Sequence, residues 1–358
     1  MSGIFGALNI NDSDRVFLST LGQRVVYDAI TQVLAQHNAD LDAALSVFVE
    51  GTTSDHKFRY KLPGGGRLQR INTQGTGAAV KASGQWDVAF PLEGFGAQFA
   101  SNRVDMAYMS AQDLDRHLNT IMAQNINTTR FEVLKALLNN AADTFVDPQW
   151  GSLTVEPLAN GDSVVYPPVL GSESEATENH YIETGYLASA ISDTNNPFPN
   201  VRDELEEHFG APTGGSNIVA FVNSAQSTIV SQLSDFDEVI DNFTTPGANR
   251  DVLTGLPSTL PGRVLGRCNG VWVVEWRFVP ANYLVGIHLE APKPLFKRVD
   301  PAETGLAQGL SLVATDDEHP FTASYYEHRF GFGCGNRLNG LVVEFGNGGT
   351  YTVPTAYA

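Results

Sequence analysis

One stretch, Ser110 to Asn140, limits the folds open to this chain more than any other. It holds no Gly and no Pro, and good helix formers dominate both ends. Ser110 with Asp113 after it reads as a capping-box-like start. Leu114, Leu118, Ile121 and Met122 line up on one side, while Leu134, Leu137 and Leu138 form a second stripe rotated about the axis. The phase slips around Asn125 to Thr129. A stripe that changes side predicts a helix covered by different neighbours along its length, with a central bend in an ordinary core helix as the plainer alternative. At 1.5 Å per residue it spans roughly 45 Å if unbroken. It reads as a beam from which the other parts hang.

The rest of the chain supplies enough material for such a frame. Its 358 residues allow a sizeable core and about two domains. No stretch approaches the ~20 apolar residues of a membrane span. The start, Met-Ser-Gly-Ile-Phe-Gly-Ala-Leu, lacks the basic segment of a secretory signal, so folding in a cytoplasm is expected. Cys268 and Cys334 have no metal spacing and read as reduced, small hydrophobes. The net charge of −18 disfavours base-reading contact with nucleic acid and favours solubility.

That charge is unevenly spread. Lys57 to Leu62 and Arg67 to Ile71 alternate charged or polar with apolar residues, as strands with one apolar face do. Pro63 to Gly66 interrupts them, Asn72 to Gly77 is a polar turn, and Ala79 to Phe90 returns with Val80, Trp86, Val88 and Phe90. This predicts a long two-stranded ribbon. From Lys57 to Trp86 it carries Lys57, Arg59, Lys61, Arg67, Arg70 and Lys81 and no acid. An isolated ribbon is marginal in water. It is either a solvated hairpin or one that docks on an acidic surface.

Before the ribbon, Asp12 to Asn38 has helical spacing, with few anchors in the first dozen residues, and Leu41 to Val49 continues as a short helix or strand. Beyond the long helix, strand-like pieces lie within Phe145 to Leu158, and Tyr181 to Ile191 reads as a helix. Val201 to Phe209 is an acidic helix, Ile218 to Val222 a buried strand, and Ser224 caps a helix to Phe236. From Arg263 to Phe345 short β-pieces dominate.

The search for chemistry returns little. Gly331-Phe-Gly-Cys-Gly335 looks superficially like a dinucleotide loop, but a strand follows where a helix is required. Asp316 to His319 reads as a polar loop rather than a metal site. Glu290, Glu327 and His328 form no readable triad, and His180, His208 and His288 stand isolated. Trp272 and Trp276, four apart, face one core. No enzyme, cofactor or metal is expected.

The order of parts resembles the major capsid proteins of tailed bacteriophages with the Hong Kong 97 fold. Gly84-Gln-Trp-Asp-Val-Ala-Phe-Pro-Leu-Glu93, Ala190-Ile-Ser-Asp-Thr-Asn-Asn-Pro197, the Gly255-Leu-Pro257 turn and the closing Ser324 to Glu344 segment strengthen it. The resemblance implies an α+β fold with these parts: an N-terminal arm (1–56), an extended E-loop hairpin (57–98), and a peripheral domain (99–178) around a spine helix at 110–140. An axial domain (179–305) and a return to the peripheral domain (306–358) complete it. No long N-terminal scaffolding segment is expected, and Pro148 to Gly161 looks like an addition.

It further implies a self-assembling shell subunit, in hexamers and pentamers of an icosahedral head around double-stranded DNA. The expected place is the virion, after assembly in the host cytoplasm. Portal, scaffolding and cement proteins are the implied partners, with only non-specific DNA contact. Rival readings are an encapsulin-type nanocompartment with the same fold and a soluble α/β enzyme. The expected subunit-interface residues are Lys57, Arg59, Lys61, Arg67, Leu68, Arg70, Ile71, Lys81 and Trp86. Candidate counter-surfaces are the helix Val201 to Phe209, the segment Glu173 to Glu183 and Asp235 to Asp241.

Overall fold

A computed structural model of the chain describes residues 3–10, 16–62, 68, 70, 71, 73–75, 84–172, 177–210, 217–238, 256, 257, 259–316 and 321–358. Helices α1 (Ile4–Leu8), α2 (Leu18–Leu21) and α3 (Gln23–Leu45) come first. Of the helix expected over 12–38, residues 12–15 lie outside the described residues, and the remainder is interrupted at Gly22, whose φ of 86° suits glycine alone. Strands β1 (Val49–Thr53), β2 (Lys57–Lys61), β3 (Gln85–Ala89) and β4 (Glu93–Asn102) follow, then α4 (Arg103–Tyr108) and the long helix α5 (Ala111–Leu138).

The beam is present as one uninterrupted helix from Ala111 to Leu138. Its 28 residues span roughly 42 Å at 1.5 Å each. Ser110 Oγ accepts the Asp113 N–H at 3.3 Å and the Asp113 carboxylate accepts the Ser110 N–H at 3.3 Å, which closes the capping box. The change of stripe is a change of core. Ala111, Leu114, Leu118 and Ile121 pack with Ile30, Val33 and Leu34 of α3 and with Ile4 of α1. Val133, Leu134, Leu137 and Leu138 pack into a second cluster with Phe48, Phe330 and Trp276. Between them the buried Asn125 and Thr129 face inward, and Thr129 Oγ1 donates to the Asn125 carbonyl at 2.9 Å. The first residues are better anchored than expected, because Ile4 is fully buried against α3 and α5.

Strands β5 (Asp143–Asp147) and β6 (Gly151–Val155) form a separate hairpin, of which only β6 falls within the segment 148–161 read as an addition. Then come β7 (Tyr181–Glu183), α6 (Phe198–Phe209), β8 (Ile218–Val222), α7 (Ser224–Val230) and β9 (Phe236–Glu238). Strands β10 (Arg263–Cys268), β11 (Val271–Glu275), β12 (Tyr283–His288) and β13 (Leu295–Arg298) lead to β14 (Ser311–Asp316), β15 (Phe321–Cys334) and β16 (Leu341–Glu344).

Two sheets carry the molecule. In one, β1 runs parallel to β13, β13 antiparallel to β15, and β15 also pairs β14 and β4. The other has seven strands in the order β7-β16-β12-β8-β11-β10-β9. Its central β8 is buried on both faces, which is why it reads as an unbroken apolar run. Val219 and Phe221 point to the cluster shared with α5, and Ile218, Ala220 and Val222 point to Phe198, Val201 and Leu205 of α6. Trp272 and Trp276 both face the α5 side, as their spacing required.

Two expected helices differ. Tyr181 to Ile191 is β7 followed by a 3-10 turn at Ala188–Ala190, with Gly185 at φ 74° between them. Pairing of Tyr181 with Val342 and burial of its ring outweigh the local helical pattern. The helix after β8 is capped by Asn223, whose side-chain oxygen accepts the Ala225 N–H at 2.9 Å, and it ends at Val230.

Candidate subunit interface

The basic ribbon starts from β2 and β3, paired with Lys57 opposite Ala89 and Lys61 opposite Gln85. Its alternation separates two faces. Phe58, Tyr60, Trp86 and Val88 turn toward the chain's own body, and Lys57, Arg59, Lys61 and Asp87 face outward.

The inner face makes a footing of aromatic rings. Trp86 is buried; its Nε1–H donates to the Gly335 carbonyl at 2.9 Å, and its ring centroid lies 5.1 Å from that of Tyr166. Phe58 meets Phe90 at 5.0 Å and Phe296 at 5.4 Å. The backbone then passes directly over β15. A Cβ on Gly331 would stand 2.2 Å from the Pro91 carbonyl oxygen, and one on Gly333 would stand 2.7 Å from that of Ala89. The glycine alternation that superficially resembles a nucleotide loop is therefore the bed on which the ribbon's returning strand lies. Arg298 locks the crossing: its guanidinium donates to the Phe90 carbonyl at 2.8 Å and pairs with Asp147 at 2.8 Å, both side chains buried.

On the outer face, Asp87 sits between Arg59 Nε at 2.8 Å and Lys57 Nζ at 3.2 Å. The hydrogen bond from Arg59, then that from Lys57, holds its carboxyl below the usual carboxylate range. Two of the expected interface cations are thus engaged by an acid one residue beyond the acid-free window, and the cross-strand register of Arg59 with Asp87 was the available signal. Trp86 lies on the opposite face, inside its own subunit. Toward the tip, Leu68 is 93% exposed and Ile71 is 69% exposed, with Arg70 exposed between them. Arg67 and Lys81 lie outside the described residues.

Of the candidate counter-surfaces, Glu173, Glu175 and 239–241 also lie outside the described residues. On α6, Asp203 pairs with Arg202 at 2.7 Å, and Glu204, Glu206 and Glu207 are half-buried. Asp237 and Glu238 are exposed on β9, the end strand of the seven-stranded sheet. Such an edge is open to another chain and guarded by charge.

The isolated histidines are mostly fixed by backbone. His180 Nδ1 lies 2.8 Å from the Gly340 carbonyl, and His288 Nε2 lies 3.2 Å from that of Gly210. His208 instead faces Glu178 and Glu207. His328, also unassigned by its sequence context, lies 2.7 Å from the Asn125 side-chain oxygen at the middle of α5. Cys268 and Cys334 are buried and free, as expected. Among the described residues no helix is long and apolar enough to cross a membrane.

No protein-family model matches the chain, and no curated protein matches it. Solved structures do. A chain in the structure of Mycobacterium phage Patience aligns with 96% of this chain and 93% of its own length, with a TM-score of 0.66 at 18% identity. A chain from the asymmetric unit of the bacteriophage PhiM1 mature capsid aligns with 82% of this chain and 84% of its own, with a TM-score of 0.50 at 10% identity. The protein therefore has the α+β fold found in a bacteriophage capsid, the fold class that the resemblance to Hong Kong 97-type proteins implies.

Proposed function

We propose that the chain is the major capsid protein of a tailed bacteriophage, a structural subunit that closes an icosahedral head shell around double-stranded DNA. The observation that carries this is the alignment of most of the chain with the PhiM1 mature capsid. Exposed apolar side chains at Leu68 and Ile71 support it, because a ribbon tip of that kind needs cover from outside its own subunit. The work is done by complementary surfaces, with no bond made or broken. Subunits meet as hexamers and pentamers, with portal, scaffolding and cement proteins as further partners. The shell belongs to the virion and is built in the host cytoplasm.

On this reading, Lys57, Arg59, Lys61, Arg67, Leu68, Arg70, Ile71 and Lys81 belong to a ribbon laid across a neighbour. Trp86 secures its base. The parts are the arm, E-loop, peripheral and axial segments given above. Each of the two sheets combines strands from both sides of the 305/306 boundary: β13 joins the sheet of β15, and β16 joins the sheet of β8. Electron microscopy and sedimentation of the purified protein test the proposal. Capsomers or closed shells are expected. A well-folded particle of 38.7 kDa that persists across micromolar concentrations would sink it.

A further inference from the structure

The last turn of α6 and the segment before β7 bring together three side chains: Glu178, Glu207 and His208. Backbone bonds fix both supports. The Gly161 N–H donates to the Glu178 carbonyl at 2.8 Å, and the Leu170 N–H donates to the Glu207 carbonyl at 2.7 Å. His208 Nε2 lies 3.6 Å from Glu178 Oε1 and 3.5 Å from Glu207 Oε1.

The imidazole is the decisive group. Its side chain is 2% exposed, and neither ring nitrogen has a hydrogen-bond partner. Glu207 Oε1 is likewise buried without one. Buried polar atoms are nearly always partnered, so a cluster of orphaned lone pairs on converging side chains asks for a shared partner.

A neutral imidazole and two carboxylates are a donor set for a divalent metal. Zinc bonds of about 2.0–2.2 Å at tetrahedral angles put ligand atoms roughly 3.3–3.5 Å apart. The separations of 3.5 and 3.6 Å nearly match. The C-terminal end of a 12-residue helix adds the negative end of its dipole, which favours a cation.

We propose that Glu178 Oε1, Glu207 Oε1 and His208 Nε2 bind a divalent cation of the zinc class, with the remaining position open to water. The ion clamps the end of α6 to the segment entering β7. The proton of the ring resides on Nδ1.

The test uses the full-length protein, stripped with a chelator and titrated separately with Co²⁺ and Zn²⁺. Co²⁺ should give the intense visible bands of a tetrahedral site, and Zn²⁺ should displace it. Glu178→Gln with Glu207→Gln keeps the side-chain volumes and should abolish the bands, while circular dichroism remains native. His208→Gln, read in the same way, should weaken Zn²⁺ binding by roughly tenfold or more. Absence of the bands in the unaltered protein, or their persistence in the double variant or in His208→Gln, overturns the proposal.

Discussion

His328 joins three parts of the molecule through one ring. Its Nδ1 lies 2.7 Å from Asn125 Oδ1 on α5, and Asn125 Nδ2 lies 3.0 Å from His37 Nε2 on α3. Burial, with smaller contributions from Lys297 and His37, holds its pKa down at about 3. The unfolded chain takes up this proton near 6.5, and the folded one does not until far lower. The unfolded state therefore binds more protons throughout that window, and stability falls as pH drops from about 6.5 toward 3. Each pH unit is worth up to about 1.4 kcal/mol. Denaturant midpoints measured from pH 7 to 4 should show a shallower decline in His328→Gln than in the unaltered chain; equal slopes would refute this origin of acid sensitivity.

Glycines give a second test at this scale. Gly331→Ala sets a Cβ against the Pro91 carbonyl and should cost about 1–3 kcal/mol. Gly51→Ala, with nothing within 4 Å of its Cβ, is the control and should stay near neutral in the same thermal melts. The three glycines of Gly331 to Gly335 were visible in the sequence, but there they read only as a superficial likeness to a dinucleotide loop. What the sequence withheld was the segment lying over them, because Ala89 and Pro91 are far away along the chain.

Among the elements, α5 was the most legible, since its cap, its period and its lack of Gly and Pro all agree. Even the slip in its stripe had a readable meaning, the passage from one apolar cluster to another. The segment Tyr181 to Ile191 was not legible, because its strand exists only through pairing with β16. The ribbon lies between these cases. Its alternation was plain, but its base proved to be held by its own subunit through Phe58, Tyr60 and Trp86. On the proposed reading, the outward cations of β2 and the part beyond Lys61 are what face a neighbour. Arg67→Glu with Arg70→Glu should therefore leave the subunit folded and impair the shell. Circular dichroism of the subunit beside sedimentation of particles decides it. Shells of normal yield and thermal stability in the double variant would mean that the ribbon is merely solvated.

At the scale of the whole molecule, charge sets the expected behaviour toward the genome. With a net charge of −18, disassembled subunits should bind duplex DNA poorly at physiological salt and without a preferred site. Fluorescence anisotropy with unrelated duplexes measures this, and nanomolar binding to one sequence would contradict a container role.

The pairing of β15 with β4 also has a consequence in time. The two strands are separated by roughly 220 residues from Asn102 to Phe321. At about 5–20 residues per second, β4 waits on the ribosome for roughly 10–45 seconds before its partner is made. Until then β2 and β3 lack their bed, since Gly331, Gly333 and Gly335 have not been synthesised. A nascent or truncated chain thus has no seated ribbon to offer a neighbour. On the proposed function, completion of translation would be the checkpoint that keeps unfinished subunits out of a growing particle.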